Sequence, residues 1–340
     1  MIPERMLIVA AVFVVSTLLT GIIRRVALAR GVIDVPNARS SHVLPTPRGG
    51  GLAIVVTVLF TIGLMRILGN VPPDLAAVLL VGGPCVALIG FIDDIRGVSA
   101  SMRLAVHFAA FAWCVFCLGP LPPVHFGSMV VNLGIGGSIA AVVLLVWFLN
   151  IYNFMDGIDG IAGVEAISVL TFATLLLFWH RGEPSIDFAL LVAAAAAAGF
   201  LIWNWPPARI FMGDAGSGFL GFFVGSIAWA TIVRGQLSIW VWLILLGAFF
   251  VDATVTLLRR WSRGANLTEA HRSHAYQRLS RKYRSHLKVT LGVLLINAFW
   301  LDPLAYLAAA RPALGAACAA IAWLPLLAVA WTAGAGTEED

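Results

Sequence analysis

Eleven apolar runs of about bilayer-spanning length follow one another along this chain and leave little sequence for anything else. They occupy residues 7–23, 52–68, 75–92, 104–118, 138–152, 161–179, 186–203, 218–233, 239–258, 289–309 and 313–331 of 340. A spanning helix takes about 20 mostly apolar residues, and in hydrocarbon only a helix or a closed barrel satisfies its own backbone groups. Some runs are short or ragged, so the reading is about eleven transmembrane helices, with ten also acceptable. The chain is 60% hydrophobic and 11% charged, with a mean hydropathy of +0.94, which a water-soluble domain does not reach. The expected fold class is all-α: a polytopic integral membrane protein with one transmembrane catalytic domain over residues 1–340. The first run has no small-residue cleavage site and is followed by Arg24 and Arg25, so it reads as a retained helix. Cys85, Cys114, Cys117 and Cys318 all lie inside apolar runs, where packing is the expected use rather than metal or redox chemistry.

Charge assigns the faces. Alternate connections, at about 24–51, 93–103, 204–217 and 259–288, hold 17 of the 22 basic residues. The positive-inside rule puts these loops in the cytoplasm, with the amino terminus in the periplasm and the carboxyl tail inside. The basic balance is thus a topology signal first, and no nucleic-acid partner is expected.

The acids of interest share that face. Asp93 and Asp94 close the third run, Asp156 and Asp159 follow the fifth in the loop at about 153–160, and Asp214 follows the seventh. All are aspartates, set in glycine-rich contexts such as G-I-D-G and M-G-D-A-G, where backbone can approach a ligand closely. A solvated rim would mix Glu, Lys, Ser and Asn instead. Hard oxygen ligands without a compact His/Cys set favour Mg²⁺, or Mn²⁺, over zinc. Asn153, Asp156 and Asp159 recur every third residue and share a face if their helix continues. The Asp93-Asp94 pair fits metal-linked phosphate chemistry, a general base, or a helix-end cap. Asp252 lies inside the ninth run, where a carboxylate needs a function or a partner, and Arg259 is the expected one.

Two loops add cations. The first, 34–51, is stiffened by Pro36, Pro45 and Pro47 and offers Arg39, His42 and Arg48 to anionic oxygens. The last carries H-R-S-H from His271 to His274, including Arg272; an H-x-x-H pair serves metal binding, acid–base chemistry or a basic surface alike.

In order, these motifs resemble those of the polyprenyl-phosphate N-acetylhexosamine-1-phosphate transferases, from the Asp34 loop to the His271 loop. The resemblance implies transfer of a sugar 1-phosphate from a UDP-amino sugar to undecaprenyl phosphate in the bacterial inner membrane, releasing UMP. It implies Asp214 and Asn153 as Mg²⁺ ligands, Phe211 stacked on uracil, and Asp159 at the uracil edge. Asp93, Asp94, Asp156 and His271 fall at catalytic positions, and Arg48, Arg103, His42, Arg272 and His274 at substrate-binding ones. The chain departs from the family pattern at Arg96-Gly97, at His107 where glutamine is common, and in its separated histidines. Those departures, with R-S-S-H and P-T-P-R-G-G-G, are more similar to the branch that starts lipopolysaccharide O-antigen than to the peptidoglycan phospho-MurNAc-pentapeptide translocase. The donor stays open among UDP-GlcNAc, UDP-GalNAc and deoxy amino sugars, and the resemblance allows a homodimer. Rivals from other classes are a secondary transporter, which would place its ionisable residues near the bilayer midplane, and a lipid-binding scaffold.

Overall fold

The computed structural model describes residues 2–36, 44–127, 129–180, 182–266 and 271–337. Every apolar run is helical. Helix α1 (Ile2–Arg30) leads to α2 (Leu52–Ile67), and α3 (Pro73–Ala77) runs through a short π segment into α4 (Gly83–Arg96). Then come α5 (Ala100–Leu118), α6 (Gly134–Phe154), α7 (Ile161–Trp179), α8 (Pro184–Asn204) and α9 (Asp214–Val233). Helices α10 (Ile239–Leu245) and α11 (Gly247–Ser262) meet at an 80° bend. The chain ends through α12 (Ala275–Tyr283), α13 (His286–Ile296), α14 (Asp302–Ala310) and α15 (Gly315–Thr332).

Among the described residues, nine helical stretches are long and apolar enough to cross a bilayer, ten if the bent α10–α11 pair is one span. The eleventh run is α2, at 16 residues. The two π segments, Val78–Gly82 and Asn297–Leu301, each end two residues before a proline, Pro84 and Pro303. Proline removes an N–H and crowds the carbonyl four residues back, and the wider π turn takes up that conflict without breaking the span.

Helix α9 is the axis of the bundle: every residue from Ala215 to Thr231 is buried. It packs on α4, α6, α5 and α2. At its start Gly216 lies against Gly51, and a Cβ on either would strike the other's backbone. The outer wall is the reverse, with Phe60, Phe116, Ile135, Phe178 and Phe299 exposed in the surface that lipid covers.

Five loops meet at one end of the bundle. Strand β1 (Ile33–Asp34) pairs antiparallel with β2 (Thr46–Pro47), Ile33 opposite Pro47. Phe211 donates its N–H to the Pro47 carbonyl at 2.8 Å and accepts from Gly50 at 2.9 Å. The Tyr276 hydroxyl donates to the Phe154 carbonyl at 3.0 Å. A second hairpin, β3 (Val124–Phe126) with β4 (Met129–Val131), lies at the other end, where Trp240 donates to the His125 carbonyl at 2.8 Å.

Candidate active site

The neighbouring aspartates that end α4 do different jobs. Asp94 reaches α9 and accepts the Asp214 N–H on Oδ1 at 2.9 Å and the Ala215 N–H on Oδ2 at 3.2 Å. It thereby caps a helix that is not its own, where unpaired N–H groups and the helix dipole favour a negative charge. Gly213 admits it: its φ is 79°, and a Cβ there would lie 2.6 Å from the Asp94 carboxylate. Asp93 turns the other way, accepting the Val98 N–H at 2.6 Å and pairing with Arg103.

Two arginines tie these carboxylates to Asp214. Arg48 places Nε 2.9 Å from Asp94 Oδ1 and Nη2 3.3 Å from Asp214 Oδ1. Arg103 joins Asp93 to Asp214, with Nη1 3.3 Å from Asp214 Oδ2. Burial works against a charged Arg48, yet Asp94, Asp214, Asp34 and Asp156 outweigh it and hold the guanidinium above its ordinary value.

Asp156 is half-buried and accepts no side-chain hydrogen bond from any described residue. Burial pushes its carboxyl well above the usual range; Asp214, Asp94 and Asp159 add to that and Arg48 opposes it. With all groups ionised, Asp93, Asp94, Asp156 and Asp214 leave two negative charges beyond those of Arg48 and Arg103.

Arg103 and Asp214 open onto a cavity of about 580 Å³ that also takes in Asn153, His271 and His274. Its other walls are mostly apolar, including Leu104, Phe108, Val143, Val146 and Trp147 from α5 and α6, with His107 and Asn150 adding polar groups. Asn153 spends its Nδ2 on Ser217 Oγ at 2.9 Å, which leaves its Oδ1 facing no donor among the described residues. The His271 and His274 rings lie 4.9 Å apart. Burial, with His274 and Arg260 beside it, lowers His271 to about 3, so the ring is neutral at physiological pH.

A second cavity of about 680 Å³ holds Asp159 and Phe211 with Pro206, Pro207, Ala208, Arg281, Arg284 and His286. Asp159 accepts the Ala208 N–H on Oδ2 at 3.0 Å and sits 3.2 Å from His286 Nδ1 through Oδ1.

The description "Glycosyl transferase family 4" matches residues 76–232, the stretch that supplies Asp93, Asp94, Asn153 and Asp214. Over 306 residues the chain is 30% identical to a probable undecaprenyl-phosphate N-acetylglucosaminyl 1-phosphate transferase of Bacillus subtilis, covering 87% of this chain and 84% of that protein. The chain belongs to the polyprenyl-phosphate hexosamine-1-phosphate transferase family. It is also 29% identical to a decaprenyl-phosphate N-acetylglucosaminephosphotransferase of Mycolicibacterium smegmatis, over 87% of this chain and 79% of the relative. A phospho-N-acetylmuramoyl-pentapeptide-transferase of Frankia casuarinae is 31% identical, but over 64% of this chain and 71% of its own length.

In this family member the expected site residues fall into three groups. Arg48, Asp93, Asp94, Arg103 and Asp214 are in direct contact. Asn153, His271 and His274 share the first cavity with Arg103 and Asp214, while Asp159 and Phe211 share the second. Arg272 lines neither of these two cavities, its carbonyl accepting from Arg281 at 3.0 Å, and His42 lies outside the described residues.

Two expectations are corrected. Helix α6 stops at Phe154, so Asn153, Asp156 and Asp159 do not share a helical face. The chain is drawn out of the helix by the Asp159 bonds and by Gly160, whose N–H donates to Asn204 Oδ1 at 2.9 Å. Asp252 does not pair with Arg259, whose guanidinium lies over the Trp331 ring at 4.3 Å. Asp252 accepts instead the N–H groups of Ala275 and Tyr276 at 2.8 and 2.9 Å.

His286, Asn204 and Tyr276 hold the loops around these cavities and carry weak sequence signals. Each is a polar or amphipathic residue at or near a helix end, a common pattern at any membrane rim.

Proposed function

We propose that this chain transfers N-acetylhexosamine 1-phosphate from a UDP-amino sugar to undecaprenyl phosphate, releasing UMP, on the cytoplasmic face of the bacterial inner membrane. The carrying observation is a pair of cavities, one reaching Arg103 and Asp214 between mostly apolar spans and the other lined by Asp159, Phe211, Arg281, Arg284 and His286. The apolar cavity suits a prenyl chain whose phosphate ends at Arg103 and Asp214. The other suits a uracil ring stacked on Phe211, with Asp159 at its edge.

The reaction joins two anions. An oxygen of the lipid phosphate attacks the phosphorus that carries the sugar; the pyrophosphate P–O bond breaks and UMP leaves with the electron pair. Arg48 and Arg103 offset charge on the phosphoryl oxygens. The residues fit a Mg²⁺ ion, with Mn²⁺ the alternative: the Asn153 Oδ1, which no described residue donates to, and the Asp214 carboxylate are hard oxygen groups beside phosphate. Bound there by Asn153 and Asp214, the ion would neutralise charge on the pyrophosphate and the departing UMP. Asp93 stays with Arg103 and the Val98 N–H, and Asp94 stays on the α9 terminus, which orients Asp214 rather than freeing either for attack. Asp156, its carboxyl raised by burial and without a hydrogen-bond donor among the described residues, is the group suited to exchange a proton with the acceptor phosphate.

UDP-GlcNAc is the favoured donor, because the relatives that match this chain along most of its length are named for N-acetylglucosamine. The product would start O-antigen or another cell-surface polysaccharide. The test is UMP release by purified protein given UDP-GlcNAc, undecaprenyl phosphate and Mg²⁺, with UDP-GalNAc and UDP-MurNAc-pentapeptide in parallel. Wild-type turnover that survives chelation with EDTA, or full activity of Asp214→Ala, would sink the metal assignment. Turnover only with UDP-MurNAc-pentapeptide would make the chain a translocase of peptidoglycan precursors.

A further inference from the structure

The loop that carries His271 and His274 is fixed from outside both cavities, at two points. The first is Asp252, buried on α11. Its Oδ1 accepts the Ala275 N–H at 2.8 Å and its Oδ2 the Tyr276 N–H at 2.9 Å, while the Thr256 hydroxyl donates to Oδ1 at 3.1 Å. A carboxylate within a span is costly, and this one is offset by three donors and the positive end of a helix dipole. The helix it holds, α12, starts directly after His274. That helix also reaches the end of α6, where the Tyr276 hydroxyl meets the Phe154 carbonyl next to Asn153.

The second point is the chain beyond α15. Gly336 donates its N–H to the Ser273 carbonyl at 2.8 Å, inside the histidine loop. Ala335 is fully buried and packs with Ala275 and Ala330. Arg278 Nη2 donates to the Thr337 carbonyl at 2.6 Å. Gly336 has a φ of 72°, and a Cβ there would press on the Thr256 carbonyl and lie 2.9 Å from Arg259 Cβ. Both anchors therefore converge on one turn of α11: Asp252 and Thr256 hold the start of α12 from below, and the tail closes over Thr256 onto Ser273.

We propose that Asp252 and the Gly334–Thr337 segment are positioning elements for the reaction, fixing the His271–His274 turn against Asn153 and Asp214 without touching substrate. This rests on reading the cavity at Asp214 as the place where the phosphates react. The test separates placement of the turn from stability of the fold.

The experiment uses the full chain in lipid nanodiscs, comparing wild type with Asp252→Ala, Asp252→Asn, Thr256→Val and Gly336→Val. It measures amide hydrogen exchange over residues 271–283, the melting temperature, and kcat and KM for UDP-GlcNAc. Loosening at either anchor should speed exchange in that segment about tenfold or more, since the amides lose their acceptor or its support. A misplacement of order 1 Å should lower kcat about 100-fold, with donor KM changed less than about threefold because uridine binds in the other cavity. Asp252→Asn, which keeps one accepting oxygen, should recover part of that loss, and Thr256→Val should give a small graded one. Should Asp252→Ala or Gly336→Val fail to insert, the milder Asp252→Asn and Thr256→Val decide, and wild-type kcat in both overturns the proposal. So does unchanged exchange in variants that fold, or a loss of kcat matched by an equal loss of donor binding. If wild type releases no UMP, the functional reading fails by itself, and the exchange measurement still decides whether these residues hold the turn.

Discussion

The Asp94 carboxylate spans the first two peptide N–H groups of the helix that Asp214 begins, at 2.9 and 3.2 Å. One acidic side chain of α4 thus sets where α9 begins, and Arg48 is shared between Asp94 and Asp214. Asp94→Ala should destabilise the protein by about 2 kcal/mol, through two orphaned amides and a lost helix cap. Its turnover should drop by about 100-fold or more as Asp214 shifts. Thermal unfolding in detergent and UMP release check both, and a variant with wild-type rate would refute the orienting role.

Phe211 and Asp159 share a cavity that the other aspartates do not line. Phe211→Ala should therefore raise KM for the UDP-sugar by about tenfold or more, as loss of a base–aromatic stack of ~1–3 kcal/mol requires. KM for the lipid phosphate should stay unchanged. Steady-state kinetics with each substrate varied in turn tests this; a matching rise in both constants counts against a uracil site.

Asp156 has no hydrogen-bond donor among the described residues and is pushed upward by burial. Its folded pKa exceeds the unfolded value of about 3.9, so ionising it carries a stability penalty that is absent below that pH and grows as pH rises above it. In metal-free protein, Asp156→Asn should raise the melting temperature at pH 8 and do little near pH 4. Added Mg²⁺ should narrow the difference at pH 8 by compensating the carboxylate. Equal stabilisation at both pH values would mean that charge is not the cause.

His271 moves the other way, to about 3. An unfolded histidine titrates near 6.5, so the buried neutral ring contributes stability that is complete above about 6.5 and is lost as pH falls toward the folded value. His271→Gln should flatten the acid side of the stability profile, read as melting temperature against pH. An unchanged acid slope would show that the ring is not held neutral by its surroundings.

The bundle was legible because hydrocarbon demands long apolar helices, and each of the eleven runs is helical, although Leu52–Ile67 is short and the run at 239–258 bends by 80°. The aspartates stood out for the same reason, as costly groups at the edges of spans. What stayed hidden depends on partners far away in sequence. Nothing between Asn153 and Asp159 announces the end of α6; the Asn204 carboxamide and the Ala208 N–H set it from about 45 residues further on. Asp252 has a cation seven residues ahead in Arg259, yet it binds backbone amides that are invisible to a charge pattern. The 80° break at Leu246–Gly247 has no proline to mark it.

Helix α9 has its own mechanical consequence. Because Ala215–Thr231 is enclosed by other helices, bilayers of different hydrocarbon thickness act on the outer spans, which tilt or shift at a cost of a fraction of a kcal/mol per Å. The element that begins with Asp214 is shielded from that mismatch. Its aspartate keeps its depth while the rim adjusts, so thin and thick membranes should present the same arrangement of charges to an incoming phosphate.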